Sequence, residues 1–189
     1  MESALIVGCT EKSAALFTGM LNEASVRHIT VLKSGGEARR ILPEKNFDLV
    51  IINTPLADES GEGLSRYIAA KNLSQVILVV KKESFDEVSS TCEDNGVLII
   101  AKPVSREIFW SALSLAKSAR NRIQRIQAEN TQLKQKIEDI RIIDRAKCLL
   151  ISYLNLSEQE SHRFIEKQAM DLRSSKRAIA EGILKTYAS

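Results

Sequence analysis

The chain has 189 residues, 44% hydrophobic and 27% charged, with a formal net charge of +3. This composition fits an ordinary soluble protein of one or two domains, and no run of about 18 apolar residues marks a transmembrane helix. Cys9, Cys92 and Cys148 are odd in number and follow no metal-ligand spacing, which argues against a disulfide framework and a metal site. The opening MESALIVGCTEKS has neither a basic n-region nor a cleavage site, so the expected location is cytoplasmic.

The net charge hides an asymmetry. Residues 1–116 hold 12 Lys and Arg against 15 Asp and Glu, whereas residues 117–189 hold 15 against 9. A polyanionic partner is therefore expected at the C-terminal end.

In chain order, ALIVG (4–8), HITVL (28–32), LVIIN (49–53), VILVV (76–80) and VLIIA (97–101) are short, branched apolar runs. Helix-like segments separate them, among them KSAALFTGMLNEA and GEGLSRYIAAKN. Apolar strands alternating with helices predict an α/β fold: a flavodoxin-like, doubly wound, five-stranded parallel sheet covered on both faces. Trp110 is expected to pack the last helix of this domain onto the sheet.

From about Ile108 the strand signal ends. Ala116, Ala119, Ile123, Ile126, Asn130, Leu133, Ile137 and Ile140 alternate spacings of three and four, the a/d pattern of a coiled coil. No Pro or Gly interrupts residues 104–181, so the last helix of the sheet domain should run straight into the coil. Asn130 at a seam position fixes register and favours two strands, which predicts a homodimer through Ile123, Ile126, Asn130, Leu133, Ile137 and Ile140. The apolar stripe continues through Ile143, Ala146, Leu150 and Leu154 and stops at Asn155. Ser157–Glu160 forms a capping box that opens a helix with Phe164, Ile165, Ala169 and Leu172 on one face. Ser174 or Ser175 caps a third helix with Ile179, Ile183 and Tyr187 inward. These pieces predict a small three-helix bundle. The expected boundaries are a sheet domain over 1–121, a coil over 122–141 and a bundle over 142–189.

The strand ending at Asn53, the loop from Asn53 to Gly61 and Lys102-Pro103 after the fifth strand carry a resemblance. Over roughly 120 residues the first domain resembles the receiver domain of two-component response regulators. The resemblance implies a metal-holding carboxylate pair after strand one and a phosphate-accepting aspartate after strand three. It further implies a hydroxyl after strand four, an aromatic on strand five, and the lysine. In this chain those positions are Gly8 and Cys9, Asn53, Val80, Ile99 and Lys102. Mg²⁺ takes hard anionic oxygens and phosphoryl transfer needs that metal. A degenerate receiver without phosphorylation chemistry is expected, with Lys102 a surface lysine before a chain-turning proline. No catalytic residue, metal or cofactor is expected.

Arg145-Ala146-Lys147, Leu149-Leu150, Leu156-Ser157-Glu158, Ala169-Met170-Asp171, Arg173-Ser174-Ser175 and Ile179-Ala180…Ile183-Leu184 carry a second resemblance. Over about 45 residues this segment is similar to the ANTAR module of transcription antitermination regulators. It departs at Ser161, where alanine is usual, and at Cys148. The resemblance implies a dimer that binds paired hairpins in nascent mRNA leaders and prevents a terminator from forming. Its chemistry is consistent with that. Lys176 and Arg177 open the third helix, where free N–H groups already favour an anion, with Arg173 close by and Arg145 and Lys147 on the preceding helix. These five are the expected RNA contacts. Tyr153 reads as a core residue, with stacking on a base as the second reading; His162 reads as an exposed helix residue. A DNA-binding response regulator and a protein-sequestering module are the alternative functions, and a regulatory protein partner is compatible with each.

Overall fold

In the computed structural model, residues 1–8, 10–71, 74–92 and 95–187 are described; Cys9 and Asn72, at the end of the expected third helix segment, lie outside them. The chain divides into two compact units, Met1–Gln124 and Arg125–Ser189.

Unit 1 holds five parallel strands: β1 (Ser3–Val7), β2 (His28–Leu32), β3 (Leu49–Asn53), β4 (Gln75–Val80) and β5 (Leu98–Ala101). Their order in the sheet is β2-β1-β3-β4-β5. The strands fall within a residue or so of the apolar runs, because a short run of branched side chains must be buried on both faces. Between them lie α1 (Glu11–Glu23), α2 (Gly35–Ile41), α3 (Glu62–Ala70) and α4 (Phe85–Cys92). Thr10 and Ser34 start α1 and α2 by accepting the N–H groups of Ser13 and Glu37, the N-cap role of short oxygen-bearing side chains.

Alternation along each strand sends side chains to two cores. Leu5, Val50, Ile52 and Leu78 pack with Leu64 and Ile68 of α3 and Val88 of α4. Ile6, Ile51, Ile77 and Val79 pack with Phe17 and Leu21 of α1 and with Phe109, Leu113 and Ala116. The last three belong to α5, which runs unbroken from Arg106 to Leu154, as the absence of Pro and Gly predicts. Trp110 packs against the second core as expected. Edge strand β2 leaves His28 and Val31 exposed, because one side of an edge has no neighbouring strand. One expectation is corrected. Ala116, expected as the first seam position, is fully buried in the second core.

Unit 2 is a bundle of the C-terminal part of α5 with α6 (Glu158–Asp171) and α7 (Lys176–Tyr187). Asn155 ends α5 with φ of 52°, a left-handed conformation that asparagine tolerates better than most residues. The Ser157–Glu160 capping box is present with both reciprocal bonds. Ser175, rather than Ser174, opens α7, its Oγ accepting the Ala178 N–H at 3.1 Å. Ala146, Leu150, Ile165, Ala180 and Ile183 form the core. Ser161 is fully buried among them and its hydroxyl has no hydrogen-bond partner among the described residues. Phe164 and Leu172 do not join Ile165 and Ala169 inside; they are 39% and 64% exposed. Tyr153 is corrected likewise: it is 61% exposed, its ring tilted against that of Tyr187 at 5.3 Å.

One carboxylate stitches unit 1 together. Asp48 accepts the N–H groups of Glu2 and Ser3 and pairs with Arg120 of α5, while its own backbone bonds Ser3 of β1 and Gln75 of β4. Burial pushes the Asp48 carboxyl up. The two N–H groups, Arg120 and the chain amino group outweigh burial and hold it below its ordinary value. Its stabilising effect is therefore complete above the unfolded value near pH 4 and lost as pH falls through the lower folded value. Asp48→Asn should cost about 1.5–3 kcal/mol at pH 7, as for a charge-assisted hydrogen bond. In denaturant unfolding, the gap from wild type should close as pH drops below about 4.

Candidate nucleic-acid interface and receiver site

At the C-terminal ends of the strands, β1 passes into Gly8 and β3 into the loop from Asn53 to Gly61. Gly8 has φ of +78°, and a Cβ there would stand 2.2 Å from Leu56 Cδ2 and 2.8 Å from the Asn53 carbonyl oxygen. Leu56 is buried and also lies against Gly61, whose φ is +95°. An apolar side chain thus fills the space beside the position that the resemblance gives to a metal carboxylate. The Asn53 amide donates to the Gly8 carbonyl at 3.0 Å. That is a bond a carboxylate cannot make, since two acceptors would face each other. Among the described residues no three His, Cys, Asp or Glu side chains converge on one point, and an amide beside a leucine does not fit Mg²⁺.

The same loop is fixed from both sides. Asp58 accepts the N–H groups of Gly35 and Gly36, each at 2.8 Å, which draws its carboxyl below the ordinary value. Glu59 takes a two-pronged contact from Arg39 at 3.0 and 3.1 Å. Lys102 is half-buried and donates to the Thr54 carbonyl. It is not a surface lysine: it ties the end of β5 to the β3 loop. Val80 is buried and Ile99 half-buried against the first core.

In unit 2 the five expected RNA contacts separate into two kinds. Lys147, 15% exposed, pairs with Asp144 at 2.7 Å and Glu158 at 3.4 Å, and the Asp144 hydrogen bond leads the contacts that raise its pKa. Lys176 pairs with Glu166 of α6. Arg177 joins α7 to α5 through Asp139 at 2.8 Å while also bonding Glu181 at 2.8 Å. Its guanidinium is the first cause of the lowered Asp139 pKa. Arg145 and Arg173 are exposed and close no ion pair among the described residues; Arg173 sits at the α6–α7 junction with φ of 48°. His162 is exposed, as read from the sequence, and lies 3.2 Å from Glu166. Sequence reasoning passed over Arg163 and Lys167, exposed cations of α6 that also close no ion pair among the described residues. Their i, i+4 spacing beside Phe164 was the available signal.

Along α5, Ile123, Ile126, Leu133, Ile137 and Ile140 are 37–58% exposed and Asn130 is exposed with them. One stripe of the helix therefore presents its apolar side chains to solvent in the single chain.

The ANTAR domain family matches residues 131–184, which contain most of unit 2. The transcriptional regulatory protein PdtaR of Mycobacterium tuberculosis H37Rv is 25% identical over 167 residues, covering 88% of this chain and 82% of that protein. The signal receiver domain of an HD domain-containing protein from Pseudomonas fluorescens Pf-5 superposes with a TM-score of 0.58 at 17% identity. It covers 66% of this chain and 92% of that one. A response regulator receiver domain protein from Clostridium thermocellum gives 0.57 at 18% identity, covering 65% and 99%. At these identities the solved structures speak for the fold of unit 1.

The packing around Gly8 generates a direct expectation. Asn53→Asp should lower stability by about 1–3 kcal/mol, because it replaces a satisfied donor with an acceptor facing an acceptor. With acetyl phosphate and Mg²⁺, intact mass should show no added phosphate on wild type or on Asn53→Asp. A phosphate adduct on unit 1 of either protein would contradict this reading of the site.

Proposed function

We propose that this chain, whose residues 131–184 match the ANTAR domain family and whose first unit has the receiver fold, is an RNA-binding transcription antiterminator acting independently of receiver phosphorylation. In this reading it is a cytoplasmic homodimer without enzymatic activity. Each bundle holds a hairpin of an mRNA leader, and two hairpins held together keep the terminator from forming. What carries the reading is that residues matching the ANTAR family fold as a bundle with its own core.

The cations of the bundle fit a polyanion in two stages. Arg145 and Arg173 are available at once. Lys147, Lys176 and Arg177 are held by carboxylates; the Lys176 and Arg177 pairs are partly exposed, and ion pairs of that kind stabilise by only about 0–1 kcal/mol. An RNA phosphate can displace the carboxylates of those two at small cost, so their pairs position the side chains without barring them from RNA, whereas the largely buried Lys147 is held more firmly. The receiver-fold unit, with Leu56 beside Gly8 and Asn53 bonded to its carbonyl, serves as a scaffold for packing and for protein contacts.

Dimerisation follows from the seam. Ile126, Leu133, Ile137 and Ile140 would each contribute on the order of 1.5–3 kcal/mol when fully buried across it. Wild type should therefore sediment as a dimer at tens of micromolar, and Leu133→Asp with Ile137→Asp should sediment as a monomer. A monomeric wild type would contradict the constitutive dimer.

RNA affinity should fall steeply with salt as counterions are released. Single-strand contacts give a slope of about −0.7 per phosphate neutralised, so losing one contact flattens it by roughly that amount. Lys176→Ala and Arg177→Ala should flatten the slope while leaving helical circular dichroism and dimer mass unchanged. Lys134→Ala and Lys136→Ala, exposed on the seam helix, are the charge-matched controls. Equal weakening by both pairs would mean a diffuse basic surface. Binding to duplex DNA with none to tandem hairpin RNA would transfer the case to a DNA-binding regulator.

A further inference from the structure

Between α6, α7 and the end of α5 lies a cavity of about 370 Å³, lined by Leu150, Phe164, Gln168, Gly182, Ile183 and Tyr187 among others. Gly182 stands in the middle of α7, where glycine is the least favourable helix residue except proline. The fold does not require it: a Cβ there would meet nothing within 4 Å. Gly19 of α1 is open in the same way; what distinguishes Gly182 is the wall around it. Phe164 is partly exposed, Tyr187 forms another side, and the exposed Tyr153 extends the aromatic surface by leaning on Tyr187. The Gln168 amide makes no hydrogen bond to a described residue, so its donor and acceptor are both available at the wall.

Charge indicates the occupant. Arg163 and Lys167 are exposed cations on the same helix as Phe164 and Gln168, and Arg163 also helps to hold the Glu160 carboxyl below its ordinary value. An aromatic, glycine-floored cavity on a helix that also carries exposed cations suits a flat ring joined to phosphates better than an apolar peptide, which would have no use for the cations. We propose that this cavity is a nucleobase pocket. An unstacked base of a hairpin loop lies against Phe164 and Tyr187, its edge meets the Gln168 amide, and Arg163 and Lys167 hold the adjoining phosphates. Unstacked loop bases are read in this manner, by aromatic faces with hydrogen bonds to their edges. The proposal rests on the RNA-binding reading above and names the subsite that would give it sequence preference.

The test uses the full chain and a pool of tandem hairpin RNAs with randomised loops, followed by the enriched sequence with 2-aminopurine placed in turn at each loop position. Gly182→Leu should fill the cavity, melt no lower than wild type, and bind the enriched RNA at least tenfold more weakly. Phe164→Leu keeps an apolar wall without a ring and should lose the fluorescence quenching that one 2-aminopurine position shows with wild type. Lys167→Ala should flatten the salt slope by about 0.7. If Gly182→Leu is folded and binds the enriched RNA like wild type, the pocket is not a base site, while the RNA-binding reading stands. If Gly182→Leu instead changes the sedimenting mass at unchanged RNA affinity, the cavity belongs to a contact between copies and the proposal is overturned. If wild type enriches no RNA, the proposal and the reading beneath it both fall.

Discussion

An apolar stripe on a helix cannot be left in water without cost, and α5 carries one over Ile123 to Ile140. A helix draws most of its stability from packing its apolar face, and here the described residues of the same chain leave that face uncovered. Burial against a second α5 meets the constraint. The position of Asn130 within the stripe suits a two-stranded coil, since a polar residue at a single seam position selects register and strand number at a cost in stability. In the proposed dimer the same helix supplies the first helix of each bundle, so pairing of the stripe is what would make the protein bivalent for RNA.

In the proposed reading, the receiver-fold unit retains a scaffold while its chemistry is replaced. Gly8 and Leu56 are complementary: only a residue without Cβ fits against that leucine, and its positive φ suits glycine. Asn53 adds a donor that a phosphate-accepting carboxylate would lack. Asp58, Glu59 and Lys102 hold the loop in place through backbone and guanidinium contacts. In the proposed reading, regulation falls to a bound protein partner, to abundance or to dimerisation, none of which needs an acyl phosphate.

Much of this fold was legible in the sequence. The strands were readable because branched apolar runs of five residues have few other fates, and the Ser157–Glu160 cap because both its bonds are local. What remained hidden depends on contacts distant in the chain. Glu158, Glu166 and Asp139, which pair with Lys147, Lys176 and Arg177, lie 11, 10 and 38 residues away, beyond the reach of any helical period, whereas Asp144 and Glu181 lie within it. Ala116 obeys the seam spacing yet belongs to the sheet core, because one helix serves both and spacing alone cannot mark the change. Tyr153, Phe164 and Leu172 follow an apolar pattern but stay exposed; periodicity identifies a face without showing whether anything covers it. Leu56 was invisible as the side chain that fills the space at Gly8, since that contact joins residues 48 apart in the chain.

The central claim, a dimer that holds two hairpins at once, is tested most directly by the stoichiometry and affinity of complexes with RNAs carrying one hairpin or two. Linking two sites turns the second contact into an intramolecular one, which can strengthen binding by about 10²–10⁴-fold. The account predicts two chains per two-hairpin RNA by sedimentation, and binding at least about 10²-fold tighter than to the single hairpin. One chain per RNA, with equal affinity for one hairpin and two, would contradict it.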